Sequence, residues 1–152
     1  MPTRTKYGRH EQKESPGHMN IAAIIEHEIY RVTELQKTYV AGICSGCVKP
    51  CCTRVNYLFC EKDILFFKLS GRRHRWRRQA AAEKGCRFLG SAGCVLDPAA
   101  RPFICHRYIC PDLEKEIKKQ DPGIFISLSK KFKALDELRS RMWAEFLEQG
   151  MR

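Results

Sequence analysis

No cysteine lies before Cys44 or after Cys110. All nine fall between those positions, so the thiol chemistry belongs to the middle of the chain. Acidic residues are scarce: 17 Asp plus Glu face 28 Lys plus Arg, for a formal net charge of +11. No run approaches the roughly 18 apolar residues of a membrane span. Met1 to Asn20 contains no apolar signal-peptide core. The expected location is therefore cytoplasmic, where thiols stay reduced. Several catalytic signatures are also missing. There is no Gly-rich phosphate loop, no H-E-x-x-H, no Ser-His-Asp order and no C-x3-C-x2-C triad.

What is present points to metal. Nine is an odd number of cysteines, which suits a complete disulfide framework poorly. The adjacent pair Cys51-Cys52 suits one poorly too, because a vicinal disulfide strains the backbone. At 152 residues and 43% hydrophobic content the chain can build one modest core, so it does not need metal merely because it is small. The positive charge could attract nucleic acid or an acidic protein. It could equally offset thiolates, since a four-thiolate zinc site carries about −2.

The expected fold is mainly α: a small Cys-rich metal-binding domain with irregular loops and short β segments, flanked by amphipathic helices. Residues 1–19 read as a mobile basic arm and 20–150 as a single domain. Asn20 is an N-cap candidate. Ile21, Ile24, Ile25, Ile29, Val32, Leu35 and Tyr39 recur at helical spacing, predicting a helix over 20–41 that stops near Gly42. A last helix is expected over 124–149, with a stripe of Phe125, Leu128, Phe132, Leu135, Leu138, Met142, Phe146 and Leu147. It should pack on the first helix. Asp121-Pro122-Gly123 reads as the turn before it, and Pro111 to Lys119 as a shorter helix.

The metal-binding core is expected over 44–110. Cys44, Cys47, Cys51 and Cys52 form C-x2-C-x3-C-C, and a C-x2-C turn lets two sulfurs converge on one ion. Neighbouring side chains diverge, so Cys51 and Cys52 should not chelate the same ion. Two centres are the natural consequence unless one of the pair is a packing residue. The first centre would use Cys44, Cys47, Cys51 and one later thiol. The second would use Cys52 and the remaining three. Val55 to Phe59 alternates like a short strand. Cys60 lacks a turn motif and reads as a buried thiol rather than a ligand. The following run, Ile64 to Leu69, reads as a short buried helix.

Arg72, Arg73, Arg75, Trp76, Arg77 and Arg78 make the densest basic run. It would serve as a nucleic-acid or anion contact with Trp76 for stacking, or as a solvated face beside an anionic centre. Residues 80–84 favour helix. The second cysteine half holds Cys86, Cys94, Cys105 and Cys110, with Gly90 and Gly93 flanking a hairpin turn. Asp97-Pro98 opens a helical turn. Arg101 and Arg107 are candidates to hydrogen-bond the sulfurs or balance their charge. His106 faces the same adjacency problem beside Cys105.

The order C-x2-C-x3-C-C, C-R-F-L, G-C-V-L, R-P-F-I-C and Y-I-C resembles the YkgJ-type cysteine-cluster family, described as zinc- or iron-chelating. The resemblance covers the cysteine stretch and not the flanking helices. It implies eight working cysteines: Cys44, Cys47, Cys51, Cys52, Cys86, Cys94, Cys105 and Cys110. The family more often has two residues before the double cysteine; here Val48, Lys49 and Pro50 make three. Larger proteins with a similar pattern look like lysine methylases acting on flagellin, and this chain lacks their extra length.

The expected function is a metal-binding protein holding zinc or an iron–sulfur cluster, with [4Fe–4S] among the options, in one or two centres. Its role would be structural, carrier or electron-transfer. Two alternatives belong to other classes: a cluster-dependent protein-modifying enzyme resembling a lysine methylase, and a zinc-dependent nucleic-acid-binding module. The expected partners are metal ions, with nucleic acid or an acidic protein as candidates.

Overall fold

A computed structural model describes residues 20–44, 46–48, 59–72, 88–90 and 93–150. The expectations for the arm 1–19, the strand residues 55–58, the helix at 80–84, and Cys51, Cys52 and Cys86 lie outside the described residues. So do those for Arg73, Arg75, Trp76, Arg77 and Arg78.

The described chain is mainly helical. Helix α1 spans Ile21–Cys44 and α2 spans Glu61–Leu69. Two-residue strands β1 (Leu89–Gly90) and β2 (Gly93–Cys94) pair antiparallel, Leu89 opposite Cys94 and Gly90 opposite Gly93. A 3-10 turn, Pro98–Ala100, leads to α3 (Phe103–Arg107), α4 (Pro111–Gln120) and α5 (Pro122–Gly150).

Helix α1 starts where Asn20 Oδ1 accepts the Ala22 N–H at 3.0 Å, satisfying one of the orphan donors of a helix N-terminus. It ends near Gly42, as expected, two residues past it. It runs on to Cys44, because nothing at Gly42 demands a left-handed turn and a single glycine costs a helix only about 1 kcal/mol. The turn predicted at Asp121-Pro122-Gly123 is instead the first turn of α5. Asp121 Oδ1 accepts the Ile124 N–H at 3.1 Å. Pro122 occupies the first helical position, where its missing N–H leaves nothing unsatisfied.

Helix α2 ends differently. Gly71 has φ 67°, the left-handed region that glycine enters without strain. The Arg72 N–H returns to Phe67 O at 2.9 Å and the Gly71 N–H to Lys68 O at 3.3 Å, which is a Schellman closure. This closure aims Arg72 at Glu26 of α1 and at Asp97, 3.5 Å away. Tyr30 donates its hydroxyl to Asp97 at 2.7 Å, and that bond pushes its own pKa up.

The two long helices pack together as expected. Ala22, Ile25, Ile29 and Val32 of α1 meet Leu128, Phe132, Leu135 and Met142 of α5 in one core. Leu65, Phe66 and Phe67 of α2, Phe103 of α3, and Leu113 and Ile117 of α4 complete it. Apart from Ala22, each such side chain contributes roughly 1.5–3 kcal/mol on full burial. The predicted stripe of α5 runs too far, since Phe146 and Leu147 are 42% and 45% exposed. Phe146 instead lies against Trp143 of the same helix, 5.6 Å between ring centroids, and neither Phe146 nor Leu147 joins the core cluster. Among the described residues no helix is long and apolar enough to cross a membrane.

Outside the core, Lys131 of α5 reaches Glu28 of α1 at 3.1 Å, with both side chains about four-fifths covered. Burial alone would raise the Glu28 pKa, but Lys131 and Arg31 outweigh it and hold the carboxyl below its usual value near 4.5. The stability this pair adds is therefore full above about pH 4.5 and is lost as the pH falls through the lower folded value. Glu28→Gln is expected to cost about 0.5–1 kcal/mol at pH 7. The gap from wild type should close in acid, as read by urea unfolding at a series of pH values.

Candidate metal centre

Five of the eight expected ligands are described; four lie at the end of an element or within a short one, and Cys47 lies in the segment after α1. Cys44 is the last residue of α1. Cys47 lies one turn on, its N–H returning to Cys44 O at 3.3 Å, so the C-x2-C segment is a closed turn. Cys94 ends β2 and is exposed. Cys105 sits on α3, also exposed. Cys110 is the N-cap of α4, where its sulfur accepts the Leu113 N–H at 3.4 Å. Proline follows at position 111, in the first turn of that helix. Among the described residues, no three His, Cys, Asp or Glu side chains gather as a metal site.

The candidate supporting residues have clear partners. Arg101 donates through Nε and a terminal nitrogen to Leu96 O, at 3.0 and 2.9 Å. It thereby clamps the loop between β2 and α3. Arg107 pairs with Asp136 of α5 at 2.9 Å. His106 is 2% exposed, and its Nε2 lies 2.8 Å from Pro98 O. A carbonyl only accepts, so Nε2 carries the proton. Burial, aided by the charge of Arg101, pushes the imidazole pKa down to about 4. At neutral pH His106 is thus an uncharged bracket between α3 and the 3-10 turn. Arg72, the one described member of the basic run, is tied into ion pairs with Glu26 and Asp97.

No family model, curated protein or solved structure matches the chain.

One cluster was missed at the level of sequence. Cys60 is not a buried thiol: it is exposed and caps α2 rather than lying within the core. Its N–H donates to Asp63 Oδ2 at 3.1 Å. Asp63 is 2% exposed and Arg139 4%, and they pair at 2.8 Å. Asp63 Oδ1 also accepts the Phe103 N–H at 3.2 Å. Arg139 lies 4.4 Å over the Phe103 ring and donates to Cys60 Sγ at 3.3 Å. The signal for Arg139 was its position. It stands four residues after Leu135 and three before Met142, on the buried stripe of α5.

Proposed function

We propose that the chain is a metal-binding protein whose thiolates hold zinc or an iron–sulfur cluster. Cys44, Cys47, Cys51 and one later thiol would hold one centre, and Cys52 with the remaining three a second. The observation that carries this reading is the cysteine spacing, C-x2-C-x3-C-C followed by Cys86, Cys94, Cys105 and Cys110. The local geometry is compatible with it. The closed Cys44–Cys47 turn suits two sulfurs on one ion, and an N–H donated to Cys110 Sγ suits a sulfur that carries charge. Such a centre would supply structural cross-linking if zinc, or one-electron transfer if iron–sulfur. The resemblance to YkgJ-type domains points the same way, and a cytoplasmic setting would keep these thiols reduced.

The nucleic-acid reading rests on Arg73, Arg75, Trp76, Arg77 and Arg78, with Arg72 already engaged elsewhere. The protein-modifying reading rests on the resemblance alone. Neither has an observation in its favour comparable to the spacing.

The test is anaerobic purification of the full chain, followed by zinc, iron and sulfide quantitation and an absorption spectrum. Two zinc ions, or two clusters of about four irons each, are expected per chain. A single ion or cluster would remove the two-centre arrangement. A chain that holds no metal under reducing conditions would remove the proposal.

A further inference from the structure

We propose, on the premise that the cysteines hold metal, that His106 and Gln36 are positioning residues: they fix α3 so that Cys105 is presented outward before any ion binds. A five-residue helix such as α3 is too short to hold itself in water, so bonds from outside decide where it lies. Its start is fixed by the Phe103 N–H, which donates to the buried carboxylate of Asp63 at 3.2 Å. Its end is fixed by His106. The imidazole is 2% exposed and donates from Nε2 to Pro98 O at 2.8 Å. The carbonyl of the same residue is among the last of the helix, which have no intrahelical partner. It accepts the side-chain amide of Gln36, on α1, at 3.1 Å. His106 is thus held through both its ring and its backbone, by two different elements.

That anchor sets the direction of the neighbouring thiol. Adjacent residues project about 100° apart around a helix. With His106 turned into the protein, Cys105 is turned out, and it is exposed. None of these three bonds passes through a sulfur, so the bracket stands without metal. A ligand whose backbone is already ordered loses less freedom on chelation, which raises affinity. The arginines that the sequence singled out for support act elsewhere: Arg101 holds Leu96 O, and Arg107 pairs with Asp136. The support for Cys105 comes instead from its buried neighbour and from a glutamine 70 positions before that neighbour.

The experiment titrates the full chain with cobalt(II) under anaerobic, reducing conditions and reads affinity by competition with a chelator. Cobalt is the probe because its thiolate charge-transfer band grows with the number of sulfurs it holds. His106→Leu should weaken cobalt about 10–100-fold in the centre that holds Cys105, and should lower the band there by roughly a quarter, one thiolate in four. His106→Gln, whose amide can reach Pro98 O, should restore most of both. Gln36→Leu should show a smaller loss, about threefold to tenfold. Ile29→Val loosens the packing of α1 on α5 away from the bracket and should bind within about twofold of wild type. Circular dichroism checks the fold of each variant, and if His106→Leu does not fold, Gln36→Leu decides. Folded His106→Leu or Gln36→Leu binding as tightly as wild type overturns the positioning role. So does an Ile29→Val loss as large as theirs, or a His106→Gln chain no better than His106→Leu. A wild-type chain with no thiolate band fails at the metal reading itself, and the positioning role falls with it.

Discussion

Replacing Arg139 with Met is expected to cost about 3–5 kcal/mol. Asp63 is 2% exposed and its carboxylate has two protein N–H donors besides the guanidinium. Removing Arg139 leaves that charge buried with only neutral donors, too few to replace the lost ion pair. Asp63→Asn should also be damaging, since it leaves the guanidinium without its counter-charge and turns an amide NH₂ or oxygen toward the Cys60 N–H. The double variant Asp63→Asn/Arg139→Met should lose less than the sum of the two, by roughly 2 kcal/mol. It will not reach wild type, because the buried Phe103 N–H keeps only an uncharged acceptor. Guanidinium unfolding of the four chains gives the cycle. Strict additivity would mean that Asp63 and Arg139 do not act as a pair. A domain of this size has a net stability of about 5–15 kcal/mol, so the single variants should be marginal at 37 °C.

That pair ties three elements together, Asp63 on α2, Phe103 at the start of α3 and Arg139 on α5. This explains why it escaped a reading of the sequence. The helix stripes were legible because they are local: Ile25, Ile29 and Val32, or Leu128, Leu135 and Met142, repeat at three and four residues within one segment. A lone arginine inside such a stripe looks like an interruption. Its partner lies 76 positions away, and only the packing of α5 on α2 brings the two within 2.8 Å. Cys60 failed for the same reason. Its exposure and its contact with Arg139 depend on where α5 runs, which no window around residue 60 contains. The start of α5 failed for a different one. Asp-Pro-Gly is a good turn and also a good helix start, and the Asp121 side chain that decides between them bonds forward to Ile124. The cysteine spacing, by contrast, is a local pattern along the chain, and the proposed metal reading rests on that spacing.

Metal removal should separate the two halves of the molecule. Stripping the chain with a chelator under reducing conditions is expected to leave at least about half of the helical ellipticity at 222 nm, with a lowered melting temperature. Helices α1 and α5 hold 24 and 29 residues, and all but Cys44 lie outside the stretch from Cys44 to Cys110. Their shared core of Ile25, Ile29, Val32, Leu128, Leu135 and Met142 contains no cysteine. A zinc finger without metal unfolds because its ligands are nearly its whole core. Here the apolar contacts between α1 and α5 do not pass through a thiol, so the helix pair should persist while the cysteine segments lose their anchor. Loss of the entire helical signal in one step with the metal would contradict this division. Substitution then assigns the thiols. Cys60→Ser should leave the metal content unchanged. Cys51→Ser and Cys52→Ser should each release one of two equivalents, because adjacent side chains diverge and would serve different centres. If both substitutions emptied the same centre, the geometric argument from the vicinal pair would fail.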